Sequence, residues 1–393
     1  MSLVASPATA MACGKPRFVI PPRLSYGLRN GEGGACSMLT WSLVIPTYNR
    51  RDVLLRALPL ALDQTVPPMQ VVVVDSSDDW TVTRGAVQAL MADRPGIRLD
   101  YLQADTASSA TQRNQGVEQA RGDIVVMIDD DTFLYPDFAE RVLAVYAADR
   151  RGVVAAVGGR NLPVPPDAQA VSGLARKENG AGTAVSGLRD RVMQYRFGRW
   201  VNRHILFQSL HTLFLKYEGE RPNAVPMEFA HLDVIPTAFI AGHALSVRRS
   251  IALSEPFDRA LRFYAALEDL DATYRYGRHG ILLGSNEARL HHHEAAGGRI
   301  KRRTTTTFQM LNMLVFIKRN ADDPARWLPS YRAMLWRRLL GETIKDTLSR
   351  RWDLPQARGV LTAMRRWRKV WNTPVADLDR WYPDYQRDIR DKG

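Results

Sequence analysis

Cysteine is almost absent: Cys13 and Cys36 are the two in 393 residues. Both precede the first convincing strand, so neither a disulfide framework nor a cysteine-based zinc site organises the fold. No apolar run reaches the ~18 residues of a spanning helix. The longest greasy stretch, FQMLNMLVFI, is short and is interrupted by Gln309 and Asn312. The N-terminus has no continuous apolar core of the signal-peptide kind, and a cytoplasmic location is the expectation. Glycine-rich phosphate loops are missing too. There is no G-x-x-x-x-G-K-[ST], and no G-x-G-x-x-G between a strand and a helix. GAGTAVSG at 180–187 has the wrong spacing and no preceding strand. Dinucleotide oxidoreductases and P-loop enzymes are thereby set aside.

What is present is an ordinary globular composition, 45% hydrophobic and 24% charged, with a formal net charge of +13. Such an excess suits nucleic acid, an anionic membrane surface or an anionic small substrate. It gathers late, in RIKRR at 299–303, RR at 337–338 and 350–351, and RRWRK at 365–369. Residues 1–39 are rich in Ala, Ser, Gly and Pro without sustained period and read as a disordered arm, with Met38 offering a second start just before the first strand.

From residue 40 the pattern changes. WSLVIPT, MQVVVVD, IRLDYLQ and DIVVMI read as strands, and the segments between them space apolar residues at helical intervals. This alternation predicts a parallel α/β sheet with right-handed crossovers. VVAAVGG adds a further strand, VMQYRFGRWVNRHILFQSLHTLFLKY a helix, FIAGHALSVRRSI a strand, turn and helix start, and ILLGSNEARLHHHE a bent strand or strand pair. LEDLDATYRY is helical as far as Gly277. Beyond 300 the chain is mainly helical, with proline breaks at 324, 329, 355 and 374.

Ligands of open parallel sheets sit outside the carboxyl ends of the strands. Three strands end there in Pro46-Thr47-Tyr48-Asn49, Asp75-Ser76-Ser77-Asp78 and Asp129-Asp130-Asp131. Three consecutive carboxylates repel and raise one another's pKa, so a divalent metal, a helix N-terminus or open water must compensate them. A hard cation held by one or two carboxylates and substrate phosphates suits the arrangement.

In this order, SLVIPTYNR, VVVVDSSDD, TQRNQGVEQARGDIVVMIDDDT, FIAGHALSVRRS, LEDLD and a late His resemble the family 2 glycosyltransferases, which have the GT-A nucleotide-diphosphosugar transferase fold. The likeness covers about 40–300. It implies a GT-A domain over 40–300, with 40–135 as its nucleotide-binding half and 136–300 as its acceptor-side half, followed by a basic helical extension over 301–393. It implies that Pro46, Thr47 and Tyr48 line the nucleotide pocket and that Asp75 accepts a hydrogen bond from the base. Arg113 and Asn114 would lie beside the donor, Asp129 near its ribose, and Asp131 on Mg²⁺ or Mn²⁺, with Asp130 sharing either task. Asp269 would take the acceptor proton on the face opposite the leaving diphosphate, oriented by Glu268. Gly242 would let backbone approach the sugar.

On an extended chain His291 and His293 share a face and His292 points away, and a late His serves the family as a further metal or diphosphate ligand; His291 and His293 are the expectation. Arg299, Lys301, Arg302 and Arg303 would fold over the diphosphate as a basic lid. The Gln-x-x-Arg-Trp motif of processive members is lacking, since DPARW has Asp323 in place of Gln. The implied activity is metal-dependent, inverting transfer of one sugar to a glycan or lipid-linked acceptor in cell-surface polysaccharide synthesis. A sugar-1-phosphate nucleotidyltransferase would show a Gly-rich basic loop after the first strand, and a nucleic-acid binder leaves the aspartates unexplained; no nucleic-acid partner is expected. Finally, Tyr331, Met334, Leu335, Leu339, Ile344, Leu348 and Trp352 follow one helical face with Arg332, Arg337, Lys345 and Arg350 toward the other. Such a helix can rest peripherally on an anionic membrane.

Overall fold

The computed structural model describes residues 39–175, 225–263, 266–295 and 301–392. The expected arm over 1–38, the helix over 192–217 and Arg299 lie outside them.

The first ninety residues follow the expected alternation. Strands β1 (Trp41–Thr47), β2 (Gln70–Asp75), β3 (Arg98–Gln103) and β4 (Ile124–Met127) are separated by helices α1 (Arg51–Leu62), α2 (Trp80–Met91) and α3 (Ser109–Gln119). These strands pair in parallel as β3-β2-β1-β4. β1 and β2 are buried along their whole length, which is why they read as continuous apolar runs rather than alternating ones.

After β4 come β5 (Thr132–Leu134), α4 (Phe138–Ala148), β6 (Val154–Asn161), β7 (Val234–Pro236), β8 (Leu245–Arg248), α5 (Arg249–Ser254), α6 (Glu268–Tyr276) and β9 (Ile281–His292). They extend the sheet to nine strands in the order β3-β2-β1-β4-β8-β6-β9-β5, with β7 also on β9. β1, β2, β3, β4, β6 and β9 run one way, and β5, β7 and β8 run against them. The sheet is therefore mostly parallel. The carboxyl ends of β1, β2, β4 and β9 and the amino end of β8 meet at one edge.

Two apolar layers cover the sheet. Leu43 and Ile45 of β1 face a layer with Leu54 and Leu58 of α1, Val87 of α2 and Phe138 of α4. Val44 faces the other, with Ala110 and Val117 of α3. A Cβ at Gly116 would run into the side chain of Val44, so glycine there lets α3 lie close on β1. That closeness brings the polar residues of α3 to the sheet edge.

Four helices complete the second layer: α7 (Arg302–Asn320), α8 (Pro324–Leu348), α9 (Pro355–Asn372) and α10 (Leu378–Asp391). Phe308, Leu311, Leu314 and Phe316 of α7 belong to the same core as Val44 and Val247 of the sheet. Pro324 and Pro355 open their helices, where a missing N–H costs nothing. Pro329, expected as a break, lies inside α8. Lys301 caps α7, with Arg302 and Arg303 in its first turn.

Candidate active site

The aspartate triplet sits where β4 gives way to β5 and the chain reverses. Its three carboxylates diverge, and each meets a basic side chain from a different part of the fold. Asp129 Oδ1 accepts from Arg113 Nη2 of α3 at 2.7 Å. Asp130 accepts from Arg50 Nη1 at 3.0 Å and from the hydroxyl of Thr47 at 2.8 Å. Asp131, fully buried, accepts the Ala295 N–H at 2.8 Å and lies 3.0 Å from His292 Nε2. Built-in basic side chains, two of them arginines, rather than water or a helix terminus make the triplet tolerable in the ligand-free chain. Burial and the neighbouring Asp131 nevertheless push Asp130 up to about 7 against the pull of Arg50.

Arg113 is the hub. It is 2% exposed, donates through Nη1 to Glu268 Oε1 at 2.7 Å, and lies over the ring of Phe257. Burial would lower its pKa, but Asp129, Glu268 and Asp269 together raise it, so its charge is fixed. Gly242 is the reason it fits. A Cβ there would sit 2.7 Å from Arg113 Nη2, so this glycine admits a guanidinium, where the sequence led us to expect a sugar. The Gly242 N–H donates to Asp269 Oδ2 at 3.0 Å, and the Leu270 N–H holds Oδ1 at 2.8 Å.

Glu268 and Asp269 open α6 directly after Leu267, whose φ is +75°. A left-handed leucine costs about 1–3 kcal/mol and persists only where surroundings enforce it. Here Asn312 does so: its Nδ2 donates to the Ala266 carbonyl at 2.7 Å, while its Oδ1 accepts the Tyr382 hydroxyl at 2.6 Å and Gln386 Nε2 at 3.2 Å. The residue that interrupts the apolar run of α7 thus ties α10 to the turn that presents the two acids. Burial raises both. Glu268 reaches about 7, with Asp269 adding to the rise and Arg113 opposing it.

The histidines require a correction. The alternation along β9 is as expected, but the face is the other one. His291 is buried, with Nδ1 on the Leu162 carbonyl at 2.9 Å, and His293 packs edge-on against Phe133 at 6.0 Å. Phe133 is a core residue, so this face of β9 is the interior. His292 points to the carboxylates instead, and stacks on His243 with centroids 4.3 Å apart and planes within 10°. Burial opposes a charge on His292, but the hydrogen bond and charge of Asp131 raise its pKa. Burial and the neighbouring His292 push His243 down to about 4.

Among the described residues, Asp129, His243 and His292 bring their ligand atoms within 4.8 Å of one another. One carboxylate and two imidazoles suit Mn²⁺ better than the oxygen-preferring Mg²⁺, and a neutral His243 has its lone pair ready. The residues therefore fit a divalent ion. Asp131 Oδ1 lies 3.0 Å from the same His292 Nε2 that is 3.6 Å from Asp129 Oδ2, so it adjoins the cluster without belonging to it.

Other expected donor residues are placed differently as well. Both polar atoms of Asn114 are used on the backbone of Phe257, at 2.9 and 2.8 Å, so it braces the fold and does not face the cleft. Pro46 and Thr47 are buried within β1, and Tyr48 is 41% exposed at its end. Asp75 is fully buried, accepting the Ser77 N–H at 2.7 Å and the Tyr101 hydroxyl at 2.5 Å, so it presents no free edge. The open wall is supplied by neighbours: a cleft of about 540 Å³ is lined by Asn49, Arg50, Arg51, Asp78, Asp79 and Ala295, among others. Gln112, which sequence reading passed over, donates to the carbonyls of Thr47 and Val74 at 2.9 and 2.8 Å and clamps the ends of β1 and β2 together. A signal existed for it, in a helix whose middle is polar immediately before the buried strand β4. His243 was adjacent to Gly242, already singled out.

A mostly parallel sheet with acids and imidazoles gathered at one edge matches the GT-A nucleotide-diphosphosugar transferase fold expected from the sequence. Residues 42–208 match the sequence profile of glycosyl transferase family 2. It is 34% identical over 101 residues to the uncharacterized glycosyltransferase YwdF of Bacillus subtilis, a match covering 26% of this chain and 36% of that one. It is 33% identical over 92 residues to the GalNAc(5)-diNAcBac-PP-undecaprenol beta-1,3-glucosyltransferase of Campylobacter jejuni, covering 23% and 29%. The chain thus spans about a third of the length of these relatives. Among solved structures, S. aureus TarS 1-349 in complex with UDP-GlcNAc matches 90% of this chain and 88% of its own at TM-score 0.47 and 16% identity. The mannosyltransferase PcManGT from Pyrobaculum calidifontis, in complex with GDP-Man and Mn2+, matches 90% and 85% at 0.43 and 16%. Likeness at this level says nothing of substrate.

Proposed function

We propose that the chain is a metal-dependent, inverting glycosyltransferase that moves one sugar from a nucleotide-diphosphate donor to a hydroxyl of a glycan or lipid-linked acceptor. The observation that carries this reading is that Arg113 joins two acid groups of different character: Asp129 beside His243 and His292, and the Glu268–Asp269 pair. One side suits a cation and a diphosphate, the other a proton acceptor.

The nucleoside would enter the cleft beside Asn49, Arg51 and Asp78. Asp129, His243 and His292 would hold the divalent ion, which when bound neutralises the leaving diphosphate. Asp269 takes the proton of the acceptor hydroxyl as its oxygen bonds to the anomeric carbon and the bond to the diphosphate breaks. The N–H groups of Gly242 and Leu270 hold that carboxylate in place. Glu268 keeps Arg113 between the two sides, so the guanidinium stays close to the departing phosphate charge. The sugar, base and acceptor are those of the family in kind, with cell-surface polysaccharide synthesis as the setting its relatives suggest.

Calorimetric titration of UDP, GDP and dTDP, with and without Mn²⁺, against wild type and Asp129→Ala tests the donor site. Metal-dependent binding of one nucleotide, lost in the variant, is expected. Failure of a folded protein to bind any of the three would overturn the reading.

A further inference from the structure

The expected apolar stripe of α8 is divided by the structure. Tyr331, Met334 and Leu335 are buried against the core, whereas Trp336 is 65% exposed, Leu340 48%, Ile344 41% and Leu348 48%, and Trp352 just beyond the helix is 75% exposed. The helical members recur every four residues, so they form one continuous strip along the outer face. Single exposed apolar side chains are ordinary, but four in a row along one helix, with an exposed tryptophan just past its end, are not.

The exposed charges on the helix beside this strip are basic, with the acid Asp353 exposed next to Trp352 beyond its end. Arg332 continues the strip one turn toward the amino end, and Arg337 and Lys345 line one flank, Lys345 lying 3.8 Å from the buried Glu342. The two acids of the helix, Glu342 and Asp346, are turned inward and are buried. The imbalance extends beyond the helix. Residues 301–393 hold 21 Lys and Arg against 10 Asp and Glu, so eleven of the chain's thirteen net positive charges lie in this part.

We infer that this face of α8, with Trp352, is a docking surface for an anionic lipid bilayer. Apolar side chains would enter the interface between headgroups and acyl chains, the tryptophans would sit at its polar boundary, and the arginines and lysine would reach headgroup phosphates. Charge selects this occupant over a second copy of the chain. Two copies would press like charges together around the strip, whereas an anionic surface cancels them. The inference stands apart from the proposed reaction, because none of these residues lies at the acid and histidine cluster.

The test is co-sedimentation of the full chain with vesicles of phosphatidylcholine alone, or with about a third phosphatidylglycerol. Wild type, the double variant Trp336→Ser/Trp352→Ser and the double variant Arg332→Glu/Lys345→Glu are compared, with circular dichroism verifying the fold. The substituted side chains are exposed, so folding is expected to survive. Binding confined to anionic vesicles, weakened roughly tenfold or more by either double variant and by raised salt, is the expected result. Equal binding to neutral vesicles, or binding unchanged in both variants, would overturn the inference. So would a dimer in sedimentation of the lipid-free wild type that the tryptophan variant abolishes.

Discussion

Arg113 and Glu268 are 155 positions apart in the chain and 2.7 Å apart in the fold. One planar guanidinium spans Glu268 and Asp129 in opposite directions, a task that a lysine ammonium cannot do. Arg113→Lys should therefore keep the charge and lose about a hundredfold in kcat/KM. Arg113→Ala, which strands two carboxylates, should also cost about 3–5 kcal/mol of stability in denaturant unfolding. Gly242→Ala should reproduce the lysine phenotype, since its Cβ would displace the same guanidinium. Wild-type turnover by either conservative variant would remove Arg113 from the reaction.

The acid pair sets a pH dependence. Glu268 is pushed up to about 7 from an ordinary 4.5 by burial and by Asp269, with Arg113 opposing both. The folded chain thus keeps a proton that the unfolded chain has released between these values, so stability should fall as pH rises across that window. Activity should run the other way, rising as the pair loses its last proton. Glu268→Gln removes the like charge beside Asp269 and should move the acid limb of the kcat/KM profile to lower pH. A limb that stays in place would separate Asp269 from the rate.

Metal dependence distinguishes the two faces of β9. His292→Ala and His243→Ala should each weaken Mn²⁺ binding at least about tenfold, as read from the free-ion paramagnetic resonance signal. His291→Ala and His293→Ala should leave it unchanged while lowering the melting temperature, because both rings are core. The reverse pattern would return the site to the residues expected from sequence.

Asn312 offers a test of the helical extension. Asn312→Leu leaves the Ala266 carbonyl and the Tyr382 hydroxyl without a partner, at about 2 kcal/mol or more. With the Leu267 turn released, kcat should fall well beyond any change in KM. Tyr382→Phe removes one bond, and a loss of about 1 kcal/mol with near-normal turnover is expected. Equal effects of the two on kcat would mean that the turn is held by something else.

Much of this architecture was legible from the chain. β1, β2 and β4 announce themselves because strands buried on both faces are nearly continuously apolar, and their ends placed the carboxylates at one edge. β5 and β7 were not legible: three residues carry no period. Nor were the partners of the triplet. Asp129, Asp130 and Asp131 are consecutive, but Arg50, Arg113 and His292 reach them from β1's end, α3 and β9, and no local pattern records such pairings. The histidine triplet shows the limit most plainly. Alternation says that His291 and His293 share a face, and only Phe133, packed beneath them, decides that this face is the interior.

That last feature makes the site a matter of parity. Thr132 pairs with His292 and Phe133 with His291 in the β5–β9 ladder, so a slip of one position would exchange the outward imidazole for the inward pair. Substitutions elsewhere along β9 preserve the count, and the strand can diverge freely under them. A single inserted or deleted residue does not, and it would silence the centre without touching any residue named for it. Over evolutionary time this strand should therefore keep its length more strictly than its letters.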